Sequence, residues 1–303
     1  MEDWLALVIP TLAATLRVAT PLILCAMGGL FSERSGIIDV GLEGKMLAAA
    51  FASATIAALT GSPWLGLGGG IGVACAMALL HGFACITHRG NQVVSGVAIN
   101  ILASGLTVVF GIAWFQSGGQ TPALPNSARF MPLFGGFSLL TFVSLASVAL
   151  TWWTVERTRF GLRLRAVGEA PGAIDAAGIS VSWLRYRALL ICGVFTGIAG
   201  TYLAIAQNAN FSRDMSAGQG YIALAALIFG KWKPIPAFGA CLIFGLLDAV
   251  AIRLQGVSLA GIGEIPVQFI QALPYVLTVI LLAGVIGKAI APKAIGVAYE
   301  KEH

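Results

Sequence analysis

MLAAAFASATIAALTGSPWLGLGGGIGVACAMALLHGFACITH, residues 46–88, contains no Lys, Arg, Asp or Glu, and neither does the following run from 90 to 128. A helix needs about 20 apolar residues to cross the hydrocarbon layer. Residues 46–88 therefore hold two crossings, with Gly61-Ser62-Pro63 as the turn between them. The rest of the chain agrees. It is 58% hydrophobic and 10% charged, with a mean hydropathy of +0.89. A soluble chain of 303 residues needs far more polar surface. The alternation expected of a transmembrane β-barrel is absent. The fold class is all-α polytopic membrane protein, with about 8–10 transmembrane segments, and one membrane domain covering 1–303 is the economical organisation.

The spans read as 4–31, 45–60, 64–87, 93–115, 133–155, 188–208, 217–230, 235–252 and 266–287. Arg17 interrupts the first, which is either one long tilted helix or two short ones. Two places look broken. SERSGIIDVGLEGK at 32–45 is too polar for a plain helix, and FSRDMSAGQG at 211–220 precedes a run too short to cross comfortably. Both are entered through Phe-Ser (Phe31-Ser32 and Phe211-Ser212), continue with two charged residues and pass through glycines into an Ala-rich run. Five spans apart, they fall on opposite membrane sides. That is the pattern of discontinuous helices in a candidate inverted repeat, which in transporters marks the pathway.

Charge gathers in one place. RTRFGLRLRAVGEAPGAIDAAGISVSWLRYR, residues 157–187, carries six of the eighteen basic residues. Basic loops stay on the cytoplasmic side, so the loop at 156–187 is expected there. Arg89, Lys231, Lys233 and the tail lysines then also fall inside. Within the loop, Pro171 suits a first helical turn and Gly178 a C-terminal cap, so a short helix with flanking arginines is expected. Such an element serves either as a dock for a cytoplasmic partner or as a basic loop lying on anionic headgroups.

RTRFGLRLRAVGEAPGAIDAAGI resembles the coupling segment of ABC-importer permeases of the branched-chain amino acid/ribose/nucleoside superfamily. FSERSGIIDVGLEGKM, NQVVSGVAINILASGL at 91–106 and GQGYIALAALIFGKWKP at 218–234 are similar to its nucleoside and simple-sugar branch. Glu169-Ala170-Pro171 stands where many relatives carry Glu-Asn-Pro. The resemblance implies a two-permease core, with a second, different permease more expected than a second copy. It also implies a cytoplasmic ATPase and a periplasmic or lipid-anchored binding protein. Arg165, Gly168, Glu169, Pro171, Asp175, Ala177 and Gly178 would be its ATPase-coupling residues. The implied cargo is a nucleoside or purine-like solute, with a simple sugar as the alternative, and the implied place is the bacterial cytoplasmic (inner) membrane.

The residues fit a transport subunit rather than an enzyme. There is no P-loop, since Gly41-Leu-Glu-Gly-Lys-Met46 lacks the upstream Gly and the following Ser or Thr. ATP and Mg are expected on the partner ATPase, with no cofactor in this chain. His81 and His88 lack ligand partners, so no metal site is expected. Neither is nucleic acid, because the positive charge sits beside apolar spans. Intramembrane polar groups usually face a cavity, which makes Gln92, Asn100, Ser104, Thr107 and Gln207 the pathway candidates. The first four share much of one helix face. Arg34, Asp39, Glu43 and Lys45 are expected as a gate or ion-pair cluster at the first break. An ion-coupled secondary transporter is the rival, but it calls for a carboxylate relay, for which Asp248 stands nearly alone.

Overall fold

The computed structural model describes residues 2–254, 258–259, 263–264, 276 and 290–301. The helices are α1 (Glu2–Arg34), α2 (Leu42–Thr60), α3 (Pro63–Gly82), α4 (Gln92–Phe115), α5 (Leu139–Arg157), α6 (Arg159–Glu169), α7 (Pro171–Ala176), α8 (Val181–Tyr202), α9 (Gln219–Phe229) and α10 (Pro234–Leu254). Among the described residues seven are long and apolar enough to cross a bilayer, and α9 is a shorter apolar one. The expected ninth span, 266–287, lies outside the described residues apart from Val276.

The first span is one helix, running through Arg17, Pro10 and Pro21. Proline at 21 has no N–H to give the Arg17 carbonyl. Tyr202 Oη donates to that oxygen instead, at 3.0 Å. The Arg17 guanidinium lies over the Phe137 ring, 5.7 Å from its centroid. Phe137 belongs to a small hairpin, β1 (Pro132–Phe134) with β2 (Phe137–Ser138), turned by Gly135 and Gly136 at φ 58° and 76°. That hairpin occupies the start of the expected 133–155 span, so the helix begins only at Leu139.

α2 and α8 form the centre of the bundle, and α4 is the most exposed long helix. Glycine sets how closely α8 approaches its neighbours. A Cβ on Gly197 would sit 2.6 Å from Ile71 Cα of α3, and one on Gly193 2.9 Å from Cys75 Cα. Small residues at these positions let helix backbones meet where lipid offers no hydrophobic drive. Gly68 and Gly72 have the same spacing and face open space.

The basic stretch is more helical than a loop holding one short helix. Thr158 Oγ1 accepts from Gly161 N at 3.1 Å and Ser180 Oγ from Trp183 N at 3.3 Å. These two caps start α6 and α8 and leave α7 between them. Arg185 and Arg187 therefore stand in the first turns of α8. Arg185 is buried, and its Nε donates to the Ser35 carbonyl at 3.1 Å. Gly178 takes φ 78° just past α7, in the capping role read from sequence.

The connections that precede α2 and α9 start at opposite ends of the bundle. At the basic end, residues 35–41 meet the start of α8 and the tail. Arg34 Nε donates to the Trp232 carbonyl there, at 2.8 Å. At the other end, Phe211 N donates to Thr121 Oγ1 and Leu124 N to the Ala209 carbonyl.

Candidate functional site

The amino ends of α2, a full-length span, and α9, the short apolar helix, meet inside the bundle. Glu43, in the first turn of α2, accepts from Ser216 Oγ at 2.5 Å, Gly218 N at 2.9 Å and Gly220 N at 2.6 Å. A carboxylate at a helix N-terminus satisfies free N–H groups and opposes the positive end of the dipole. Contact is close enough that a Cβ on Gly220 would lie 2.5 Å from Glu43 N. Gly218 at φ 82° and Ala217 at φ 46° turn the chain into α9 at this point.

Asn100 of α4 braces the other side. Its Oδ1 accepts from Gly44 N at 2.8 Å, and its Nδ2 donates to the Val40 carbonyl at 3.0 Å and to Tyr221 Oη at 2.7 Å. The amide is thus occupied in holding α2 and α9 together. One turn on, Ser104 Oγ donates to Asp214 Oδ1 at 3.2 Å. These groups line a pocket of 350 Å³ with Leu47, Val97 and Ile101 as its apolar wall. Small-molecule pockets run from about 300 to 1,000 Å³. A larger groove of 600 Å³ runs between α2, α3 and α4, but its lining of Phe51, Met77, Leu106, Phe110 and Trp114 offers little to orient a polar solute.

The other pathway candidates stand elsewhere. Gln92 is buried, and its Oε1 accepts from Ile38 N at 2.7 Å. Thr107 lines the apolar groove and donates back to the Ser104 carbonyl. Gln207 lies exposed in the π-helical turn that ends α8 and is not part of the pocket.

The four residues expected as one ion-pair cluster part in three directions. Glu43 and Lys45 are two residues apart, so a helix sends them to different faces. Lys45 pairs with Asp39 at 2.5 Å, both side chains fully buried. Cys192 Sγ lies 3.2 Å from the same carboxylate oxygen. Arg34 goes to the Trp232 carbonyl, as above. The first break is also tied by His81, whose Nε2 is 3.0 Å from the Ile38 carbonyl and whose Nδ1 is 3.0 Å from Ser95 Oγ. A carbonyl can only accept, so Nε2 carries the proton and a neutral ring accepts from Ser95. Among the described residues no His/Cys/Asp/Glu group is arranged to hold a metal.

At the basic end, α7 has no buried residue and projects from the bundle. Glu169, Ala177 and Gly178 are exposed, and Arg165, Pro171 and Asp175 are half-buried. Gly168 is buried, its backbone pressed against the Arg34 carbonyl, which leaves no room for a Cβ.

Residues 11–286 match the model of the branched-chain amino acid transport system / permease component family. The chain belongs to this permease family. It is 42% identical to the nucleoside ABC transporter permease protein NupC of Lactococcus lactis, over 95% of this chain and 96% of that protein. It is 40% identical to the guanosine ABC transporter permease protein NupQ of Bacillus subtilis, over 98% and 97%. TsgC13 of Haloferax volcanii, a proposed glucose ABC transporter permease, is 40% identical over 82% and 79%. The permease is a multi-pass membrane protein and a transport subunit; α7 lies within a segment that carried the sequence resemblance, as do Glu43, Asn100 and Tyr221 of the pocket, whereas Asp214, Ser216 and Ala217 lie outside those segments.

Sequence reading missed Tyr221, Ser216, Gly218 and Gly220 as site residues. The signal was present in Ser216-Ala-Gly-Gln-Gly220, whose small residues permit both the turn and the approach of α2. Its partner, Glu43, lies 173 residues away from Ser216 in sequence.

Proposed function

We propose that this permease carries nucleosides or purine-like solutes inward across the bacterial cytoplasmic membrane, as one half of an ATP-driven importer. The basic end with α7 faces the cytoplasm, where a separate ATPase docks and binds ATP and Mg. The end with the 116–138 segment faces outward, toward a periplasmic or lipid-anchored binding protein. A second, different permease completes the core and closes the open side of the pocket, along the exposed face of α4.

The observation that carries the reading is the pocket where the amino ends of α2 and the short helix α9 meet. A short helix whose amino end stops inside the bundle is an element with which transporters build solute sites away from water. The Tyr221 ring offers a face for a purine base, and Ser104 with Asp214 offers acceptors and a donor for ribose hydroxyls. The names of NupC and NupQ, at near-complete coverage, support the same cargo. A sugar is the second reading, supported by TsgC13.

The test is uptake of labelled guanosine and ribose into vesicles holding the permease, its ATPase, a second permease and a binding protein. Guanosine uptake that stops without ATP is the expected result. Ribose uptake alone moves the cargo to sugars. Uptake by this chain alone, driven by an ion gradient, overturns the reading.

A further inference from the structure

The tail, residues 291–301, runs back beneath the basic end and makes specific contacts there. Ala294 N donates to the Gly168 carbonyl at 2.8 Å, and Gly296 N to the Gly36 carbonyl at 3.1 Å. Arg185 Nη1 donates to the Val297 carbonyl at 3.3 Å. Pro292 lies against Gly168, and Ala294 against Gly36. Tyr299 packs on a small apolar cluster of Val167, Val181 and Leu184. Glu300 reaches the α3–α4 corner and pairs with Arg89 at 2.8 Å. One strap, turned at 293–296, thus ties the end of α6, the 35–41 connection and the start of α8.

Two clefts result, both bordered by the tail and by Asp175 of α7. The first, 470 Å³, has Thr87, Arg89, Asp175, Ser180 and Lys301 among its walls. The second, 490 Å³, lies between Pro171, Gly172, Ala176 and the tail residues Ala298–Glu300. Tyr299 and Asp175 border both. The second cleft runs along α7 and the first lies between the α3–α4 corner and residues 178–182, and the tail supplies a wall of each.

We propose that residues 291–301 form the second half of the docking face for the cytoplasmic ATPase, with Tyr299 as the wedge between the two clefts. This rests on the ATP-driven reading above. The chemistry fits a protein rather than a lipid surface. Anionic headgroups select clustered Lys and Arg, whereas these clefts set both signs of charge, Arg89 and Lys301 with Asp175 and Glu300, as a polar rim around the aromatic Tyr299, the arrangement of an anchor and its rim at a protein interface. The side chains of Arg89 and Glu300 are 51% and 72% exposed although paired, so both remain open to a partner. The strap also gives the contact somewhere to lead. Force on α7 reaches Gly168, passes through Ala294 and Gly296 to Gly36, and so arrives at the break from which α2 begins.

The experiment places a photoreactive amino acid at Gly172 on α7, or at Glu300 on the tail, in the complete transporter with a tagged ATPase. Tyr299→Ala is assayed beside them for ATPase retention, with membrane insertion checked separately. Cross-links to the ATPase from both positions are expected, with retention about tenfold weaker in Tyr299→Ala, the scale of losing an aromatic anchor. A cross-link from 172 but not from 300, with Tyr299→Ala retaining the ATPase normally, overturns the tail's role and leaves the ATP-driven reading standing. Cross-links from neither position overturn docking at this face, while the ATP-driven reading falls only if uptake proceeds without ATP.

Discussion

Replacing Glu43 with Gln tests whether a charge holds α2 and α9 together. The amide keeps the shape but offers one acceptor oxygen where the carboxylate used two, so Gly220 N or the Ser216–Gly218 pair faces an NH2 group. A donor left unpaired costs about 1–3 kcal/mol when buried. Loss of the negative charge from the end of α9 adds about 0.3–1 kcal/mol. Glu43 is only half-buried, so water recovers part of the sum. The net loss is roughly 1–3 kcal/mol, or about 5- to 150-fold in an opening equilibrium. Hydrogen exchange read at the amides of Gly218 and Gly220, in the purified protein, measures that equilibrium directly. Exchange should quicken by this factor at the start of α9 while the middle of α8 stays unchanged. Equal exchange in both proteins would sink the idea that a carboxylate latch joins α2 to α9.

Four further outcomes are expected. Lys45→Ala strands Asp39 in the core and should cost about 3–5 kcal/mol, whereas Asp39→Asn with Lys45→Met should recover much of it; thermal loss of monodisperse elution in detergent reads both. Gly197→Val drives a side chain into the α3 backbone and should cost about 1–3 kcal/mol, against a shift within about 0.5 kcal/mol for Gly68→Val, which meets open space. Glu169→Arg adds a positive charge beside α7 and should cut ATP-driven uptake roughly tenfold while the protein still inserts, with co-purification of the ATPase reduced; unchanged uptake and co-purification count against the coupling role. Tyr221→Ala removes the pocket's aromatic face and should raise the guanosine concentration for half-maximal uptake about tenfold, the scale of one base–aromatic stack.

Composition and spacing alone made this a helical membrane protein, because bilayer thickness leaves no other use for charge-free runs as long as 46–88 and 90–128. Local chemistry was equally legible. Pro171 and Gly178 bracket α7 through backbone preferences that belong to single residues, and the two breaks announced themselves by polar residues in apolar surroundings. Family membership was readable for the same reason, since its motifs are short and contiguous.

What sequence could not supply was which partner each polar group takes. Glu43 sits beside Lys45 and near Asp39, so proximity along the chain pointed to one ion cluster. Helix geometry sent Glu43 to α9 and Lys45 to Asp39, and Arg34 to a carbonyl on the turn after α9. Asn100 looked free to meet a solute, yet packing used both ends of its amide. The tail read as a few lysines beyond the last span, and only its return beneath α6 brought Ala294 and Gly296 to Gly168 and Gly36. Residue type and spacing determine what a segment becomes, because those preferences act within a few residues of chain. Which segments meet is decided by packing across more than a hundred residues, where a one-residue step around a helix chooses the neighbour.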